Sequence, residues 1–426
     1  MSFRVMHFIF CICLSVVEYA AAETTELPVT RLFWGDTHLH TSYSPDASLN
    51  GNTQIGPEEA FRFARGEAIK SHSAGQAQLK RPLDFLVVAD HAEYLGLLPK
   101  IRSKDPLVMQ NPITRRWGEL IATGDKDNTW KAMFEVLNDI QVNKPSFTDT
   151  SIMTSAWDYV TAAADRNNQP GKFTAFIGYE WTSMPAGNNL HRVVIFKDAA
   201  DKAAQVLPFS SFDSEDPEKL WEFLLQYETD TGGEVLAIPH NGNMSNGLMF
   251  QTTDFSGEAI DSDYASKRAR WEPLYEVTQI KGDGEAHPTL SPNDVFADFE
   301  NWDKGNLTAT ATKQDSMLKH EYARSALKLG LKLEKQVGTN PYQFGLIGST
   351  DAHTGFATAD EDNFWGKFSI YEPGLHRLND QPVVKGKFNK AYDLWAYEIS
   401  ASGYIAVWAK ENTREALFAA MKRKEV

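Results

Sequence analysis

The chain is poor in cysteine. Of its 426 residues two are cysteine, Cys11 and Cys13, and both lie in a leader-like segment. Arg4 gives that segment a positive start, Met6 to Val17 is mostly apolar, and Ala20-Ala21-Ala22 offers a small-residue cleavage site before Glu23. Residues 1–22 are therefore expected to be a signal peptide, and the protein to be periplasmic or secreted. After cleavage no cysteine would remain. That excludes a disulfide framework, a thiolate nucleophile and a cysteine-ligated zinc. Any metal would have to be held by His, Asp and Glu. Basic excess is also missing: the formal charge is −15, which argues against a nucleic-acid partner. Long apolar runs are missing too, so no stable membrane span is expected.

What is present reads as globular, with 42% hydrophobic and 23% charged residues. Strand-like runs recur at Phe33 to His38, Asp84 to His91, Phe173 to Trp181, His191 to Phe196, Glu234 to His240, Leu274 to Lys281, Phe344 to Asp351 and Tyr404 to Ala409. The turn at Pro185 to Asn189 reads as a hairpin between the third and fourth. Helical segments are expected at Glu58 to Gly66, Trp130 to Gln141, Ser151 to Arg166, Glu218 to Tyr227 and Ser316 to Glu334, with a last helix capped by Asn412 and Glu415. Strands alternating with helices imply a mostly parallel α/β fold. Seven or so such strands favour a closed or distorted barrel over an open sheet. One hydrolase domain over 23–426 is expected, with insertions near 100–170 and 245–340 that form walls or lids, or a separate subdomain. The chain stops at Val426 with no exit strand, which leaves a true terminus or a sequence cut short.

The histidines carry the chemistry. His38 and His40 are two apart at the end of an apolar run, so on a strand they face one way, roughly 7 Å apart at Cα. Asp351 and His353 repeat the spacing. His91, His191 and His240 sit at the ends of other strand-like runs, Glu180 closes the third, and Asp46 follows the first. Singly, each reads as well as a core or capped residue. Together, at the strand ends where α/β sites assemble, they read as a metal cluster. Lys281 ends its strand on the expected side, which leaves substrate contact and a loop salt bridge equally open. Alternation turns Arg192 away from His191. His287 reads as a loop histidine, and Asp90 as a residue that orients His91.

The motifs Gly-Asp-Thr-His-Leu-His-Thr-Ser-Tyr-Ser, Ala-Asp-His-Ala-Glu-Tyr and Ile-Gly-Ser-Thr-Asp-Ala-His resemble those of the PHP (polymerase and histidinol phosphatase) superfamily, and within it an uncharacterised exported PHP-like family. The resemblance implies a distorted seven-stranded TIM-like α/β barrel with long insertions, holding two or three divalent ions. It implies one site from His38, His40, Glu180 and Asp351, a second that shares Glu180 with His191 and His240, and a third from Asp46, His91 and His353. It also favours a sequence cut short. Donors without sulfur suit Zn, Mn or Fe. Two such ions can hold a bridging hydroxide that attacks phosphorus in line, with Glu180, Asp351 and Lys281 the catalytic side chains. The implied function is a metal-dependent phosphoesterase acting on a small, anionic substrate. An amidohydrolase-type amide or ester hydrolase, and a non-catalytic metal-dependent binding protein, are the alternatives. Nothing in the sequence fixes the oligomeric state.

Overall fold

A computed structural model describes residues 29–72, 75–374, 393, 395–399 and 403–426. The leader and its two cysteines lie outside the described residues. Eleven strands run in chain order: β1 (Arg31–Leu39), β2 (Ile69–Lys70), β3 (Gln76–Ala77), β4 (Phe85–Val88), β5 (Thr174–Trp181), β6 (Arg192–Phe196), β7 (Val235–Pro239), β8 (Leu274–Gln279), β9 (Gly282–Asp283), β10 (Gly345–Gly348) and β11 (Ile405–Ala409). Six of them form a curled half-barrel sheet in the order β11-β1-β4-β5-β6-β7, and β10-β8-β9 form a second sheet. Single bridges, Leu39 to Ala352 and His240 to Glu276, link the two sheets.

This differs from a mostly parallel barrel in two places. β6 pairs antiparallel with both β5 and β7. The short Pro185–Asn189 turn explains the first pairing, because a parallel return needs a crossover of a dozen residues or more. β11 comes back from the far end of the sequence and pairs antiparallel with the first half of β1, Arg31 opposite Ala409 and Gly35 opposite Ile405. It occupies the edge that a parallel neighbour of β1 would need.

Strand alternation divides the apolar residues between two faces. Leu86, Ile177, Val194 and Ala237 pack with Phe61, Trp157, Leu220 and Trp221 from the helices Pro57–Ala64, Thr150–Asn167 and Pro217–Thr231. Val87, Phe176, Val193, Ile195 and Ile238 pack on the other face with Leu417 and Phe418 of the last helix, Arg414–Lys422. Burying each of these large side chains is worth roughly 1.5–3 kcal/mol. The stretch 97–167 is mostly helical and has its own apolar cluster around Trp117, Met133 and Val136.

Two local expectations change. The segment Ser316 to Glu334 is two helices, Asp315–Leu318 and Ala323–Val337. The break turns Glu321 inward, where its carboxylate pairs with Lys313 at 2.6 Å and accepts from Gly247 N at 3.0 Å. The cap of the last helix is Thr413, which accepts from Ala416 N. Asn412 instead ties three segments together: it accepts from Thr174 Oγ1 at 2.7 Å and donates to the carbonyls of Asp84 at 2.8 Å and Lys172 at 3.2 Å. Asn412 is 4% exposed. Asn412→Ala leaves these partners buried without it, and is expected to cost about 2 kcal/mol. Thermal melting of the variant checks this; an unchanged midpoint would contradict the role.

Candidate metal centre

The site lies at one end of the sheets, on the face that carries Val87, Phe176 and Ile238. Parity explains it. Two residues past Ala89 comes His91, two past Gly178 comes Glu180, two before Val193 comes His191, two past Ile238 comes His240, and two past Leu274 comes Glu276. β1 reaches the same place with a register shift between Asp36 and Leu39. Such irregularities re-aim side chains, and this one flanks His38. Asp36 fastens β1 to the chain after β10, accepting from Thr350 N at 3.1 Å and from the Thr350 hydroxyl. Asp351 N then donates to His38 O at 2.8 Å, and His40 N to Ala352 O at 2.9 Å. Asp351 sits at φ +50°, an uncommon conformation for a non-glycine residue and one that gathers at functional sites.

Four polar atoms meet at the centre. His38 Nε2 and His40 Nε2 are 3.2 Å apart. Glu180 Oε2 is 3.5 Å from the first and 3.2 Å from the second. Asp351 Oδ1 is 3.7 and 3.3 Å from the same two atoms. Tetrahedral ligands at the usual 2.0–2.1 Å from a zinc-like ion stand about 3.3 Å from each other, close to these separations. Glu180 Oε1 faces the other way, 2.7 Å from His191 Nδ1 and 2.8 Å from His240 Nε2. Asp46 Oδ2 joins His353 Nε2 at 2.6 Å and His91 Nε2 at 3.2 Å. Among the described residues, His40-Asp46-His91-His353, His38-His40-Asp351, His38-His240-Glu276 and Glu180-His191-His240 are the groups that could hold a metal ion. All nine residues expected as ligands are thus brought together, and His40 stands in two of these groups.

Supporting bonds aim the imidazoles. His38 Nδ1 lies 3.2 Å from both Glu276 oxygens, His40 Nδ1 is 3.0 Å from Ser44 Oγ, and His353 Nδ1 is 3.0 Å from the Asp351 carbonyl. Each leaves Nε2 facing inward, the usual arrangement around ligating histidines. Burial pushes His40 down to about 4 and His240 to about 3, so both are neutral with a lone pair to offer. Burial also opposes charge on His38, but the carboxylates of Glu276 and Glu180 outweigh it and raise its pKa to about 9. Glu180 is buried too, yet the imidazoles of His91, His191, His240 and His38 hold its carboxyl well below the usual range.

The donor set fits a metal. Glu180 Oε2, His191 Nε2 and His240 Nδ1 are buried with no hydrogen-bond partner, which is costly unless another group engages them. Donors are nitrogen and oxygen only, suited to borderline and hard divalent ions. The centre is reached past Asp46, Lys281 and His91, whose side chains are 23%, 18% and 10% exposed.

Two residues of this neighbourhood escape a reading of motifs and strand ends. Glu276 lies inside the apolar run of β8, and an acid at the parity of buried Leu274 is the one clue. Lys367 lies in an aromatic-rich loop with no motif, between Trp365 and Phe368, yet its Nζ is 2.8 Å from Asp351 Oδ1. Lys281 Nζ also contacts Asp351. Arg192 points away from the centre and pairs with Glu272 at 3.0 Å. His287 pairs with Asp303 at 3.0 Å. Asp90 accepts from Thr41 N and Oγ1, both at 2.6 Å, and its carbonyl receives Glu180 N at 3.0 Å. No described helix is long and apolar enough to cross a membrane.

Comparison with known proteins gives a family match. The model of a family described as "Protein of unknown function (DUF3604)" matches residues 28–426. No curated protein matches. A solved structure from Bacteroides vulgatus ATCC 8482, a two-domain protein containing a predicted PHP-like metal-dependent phosphoesterase, is similar at 10% identity and a TM-score of 0.37. The match covers 93% of this chain and 64% of that one, so the chain spans a little under two thirds of that protein's length.

Proposed function

The chain belongs to the DUF3604 family of unknown function, and we propose that within it this protein is an exported, multi-metal hydrolase of phosphate esters. The observation that carries the reading is the pair His38 and His40, 3.2 Å apart, with Glu180 and Asp351 oxygens each 3.2–3.7 Å from both, beside two further groups built on Glu180 and Asp46. The resemblance of the strand-end motifs to the PHP superfamily supports the same conclusion, including its two or three divalent ions and its seven-stranded barrel. The leader-like residues 1–22 support export.

Divalent ions held in such groups activate water for attack and neutralise charge that develops on phosphorus oxygens. The chain's own side chains hold and aim them. Glu180 offers one oxygen to each of two groups. Asp351 shares its carboxylate between His38, His40 and the lysines. Glu276 and Ser44 fix which nitrogen of His38 and His40 is presented. No cysteine stands among the described residues, and the hydroxyl of Ser44 is occupied with His40 and Asp46, so metal-activated water would serve as the nucleophile.

Elemental analysis of protein purified without added metal, followed by a phosphate-ester panel on the metal-replete enzyme, tests this. Two or three equivalents of Zn, Mn or Fe and turnover on phosphate esters are expected. Turnover on amides or carboxylic esters with none on phosphates would replace the reading, and absence of bound transition metal would defeat it.

A further inference from the structure

Two ammonium groups converge on a single carboxylate. Lys281 follows β8, and its Nζ contacts Asp351 Oδ2. Lys367 comes from the loop after β10 and places its Nζ 2.8 Å from Asp351 Oδ1 and 2.6 Å from the Asp351 carbonyl. One carboxylate balances one of these charges. Asp351 is also called on by His38 and His40, whose Nε2 atoms lie 3.7 and 3.3 Å from its Oδ1. With that oxygen engaged at the centre, the lysine pair is short of negative charge. Burial opposes charge on both lysines, and Lys367 adds repulsion at Lys281; Asp46 and Glu180 act the other way on both, but each of these carboxylates is engaged by imidazoles of its own.

Donors are left over as well. An ammonium carries three N–H groups. Lys367 donates one to the Asp351 carbonyl and lies at ion-pair distance from its Oδ1, and Lys281 makes one contact with the same carboxylate. The Lys281 side chain is 18% exposed and the Lys367 side chain 3%, so Lys281 faces the opening and Lys367 lies behind it.

Resting on the phosphoesterase reading, we infer that Lys281 and Lys367 form an ammonium pair that grips oxygens of the substrate's anionic group and holds it against the metal centre. Lys281 makes the first contact at the opening. Lys367 supplies a second, from the buried side of Asp351. The pair selects a tetrahedral oxyanion over a neutral acyl group.

The test is calorimetric titration of inorganic phosphate into metal-replete protein, with metal content measured alongside. Lys281→Met is expected to weaken phosphate binding about tenfold to a hundredfold, the loss of one charge-assisted hydrogen bond, with metal content unchanged. Lys367→Met should weaken it by a similar factor. Phosphate binding as tight in Lys281→Met as in the parent, with metal retained, would overturn the inference. Loss of metal in Lys281→Met would also overturn it, because the lysine would then be a support for Asp351. Binding needs no turnover, so the two proposals fail separately. Lysine-dependent phosphate binding without ester hydrolysis would sink the phosphoesterase reading and keep the pair. Hydrolysis indifferent to both lysines would do the reverse.

Discussion

Glu180→Gln is expected to lose turnover by roughly a thousandfold or more and to come off the column depleted in metal. Among the described residues, Glu180 is the carboxylate whose two oxygens face different sets of histidines: Oε1 toward His191 and His240, Oε2 toward His38, His40 and His91. An amide keeps the shape but offers one neutral acceptor and one donor that opposes the imidazoles. The ions supply several kcal/mol of charge stabilisation, and about 4 kcal/mol corresponds to a factor near 1,000 in rate. Glu276→Gln is a useful contrast. Glu276 orients His38 and shares a further group with His240. If orientation is its main role, the loss should be about tenfold to a hundredfold. Steady-state kinetics paired with elemental analysis reads both. A Glu180→Gln enzyme with full metal and full rate would remove Glu180 from the centre.

Stripping the metal is the second large effect. A chelator should lower the melting temperature by on the order of 5 °C, and restoring the ion should recover it. At free metal about 1,000 times the dissociation constant, binding to the folded state alone contributes about 4 kcal/mol, and a few kcal/mol shifts a chain of this size by several degrees. The pH dependence has a definite sign. Ligating imidazoles must be neutral, and His38, where nearby carboxylates outweigh burial and hold the pKa at about 9, must shed a proton to bind metal; the metal-dependent increment is therefore full above about 9 and weakens as pH falls through that value. Melting curves with and without chelator at a series of pH values check this. Curves that coincide at every pH would show that the folded state gains nothing from metal.

Much of the site is legible in the sequence because strand alternation is a strict rule. His38 and His40, or Asp351 and His353, need only their spacing to be placed on one side. Glu276 escapes because its partner relation is tertiary: it meets His38 across 238 positions, through a bridge between His240 and Glu276 that no local pattern encodes. Lys367 escapes for the same reason. Element boundaries follow periodicity well where an apolar face is continuous, as in Pro217–Thr231. They fail where a polar side chain is drawn inward. Glu321 splits a helix that its neighbours favour, and Asn412 leaves the cap to Thr413 because three buried partners hold it elsewhere. The barrel expectation stops at β11, whose antiparallel return is set by residues more than 360 positions from its partner.

That return has a consequence for how the protein comes into being. While β1 emerges first, its outer edge stays without a neighbour until residue 409 has been made. Closing so large a loop is entropically slow, and an open strand edge invites pairing between separate molecules. Residues 405–426, the returning strand and the helix after it, act as the clasp that ends the hazard.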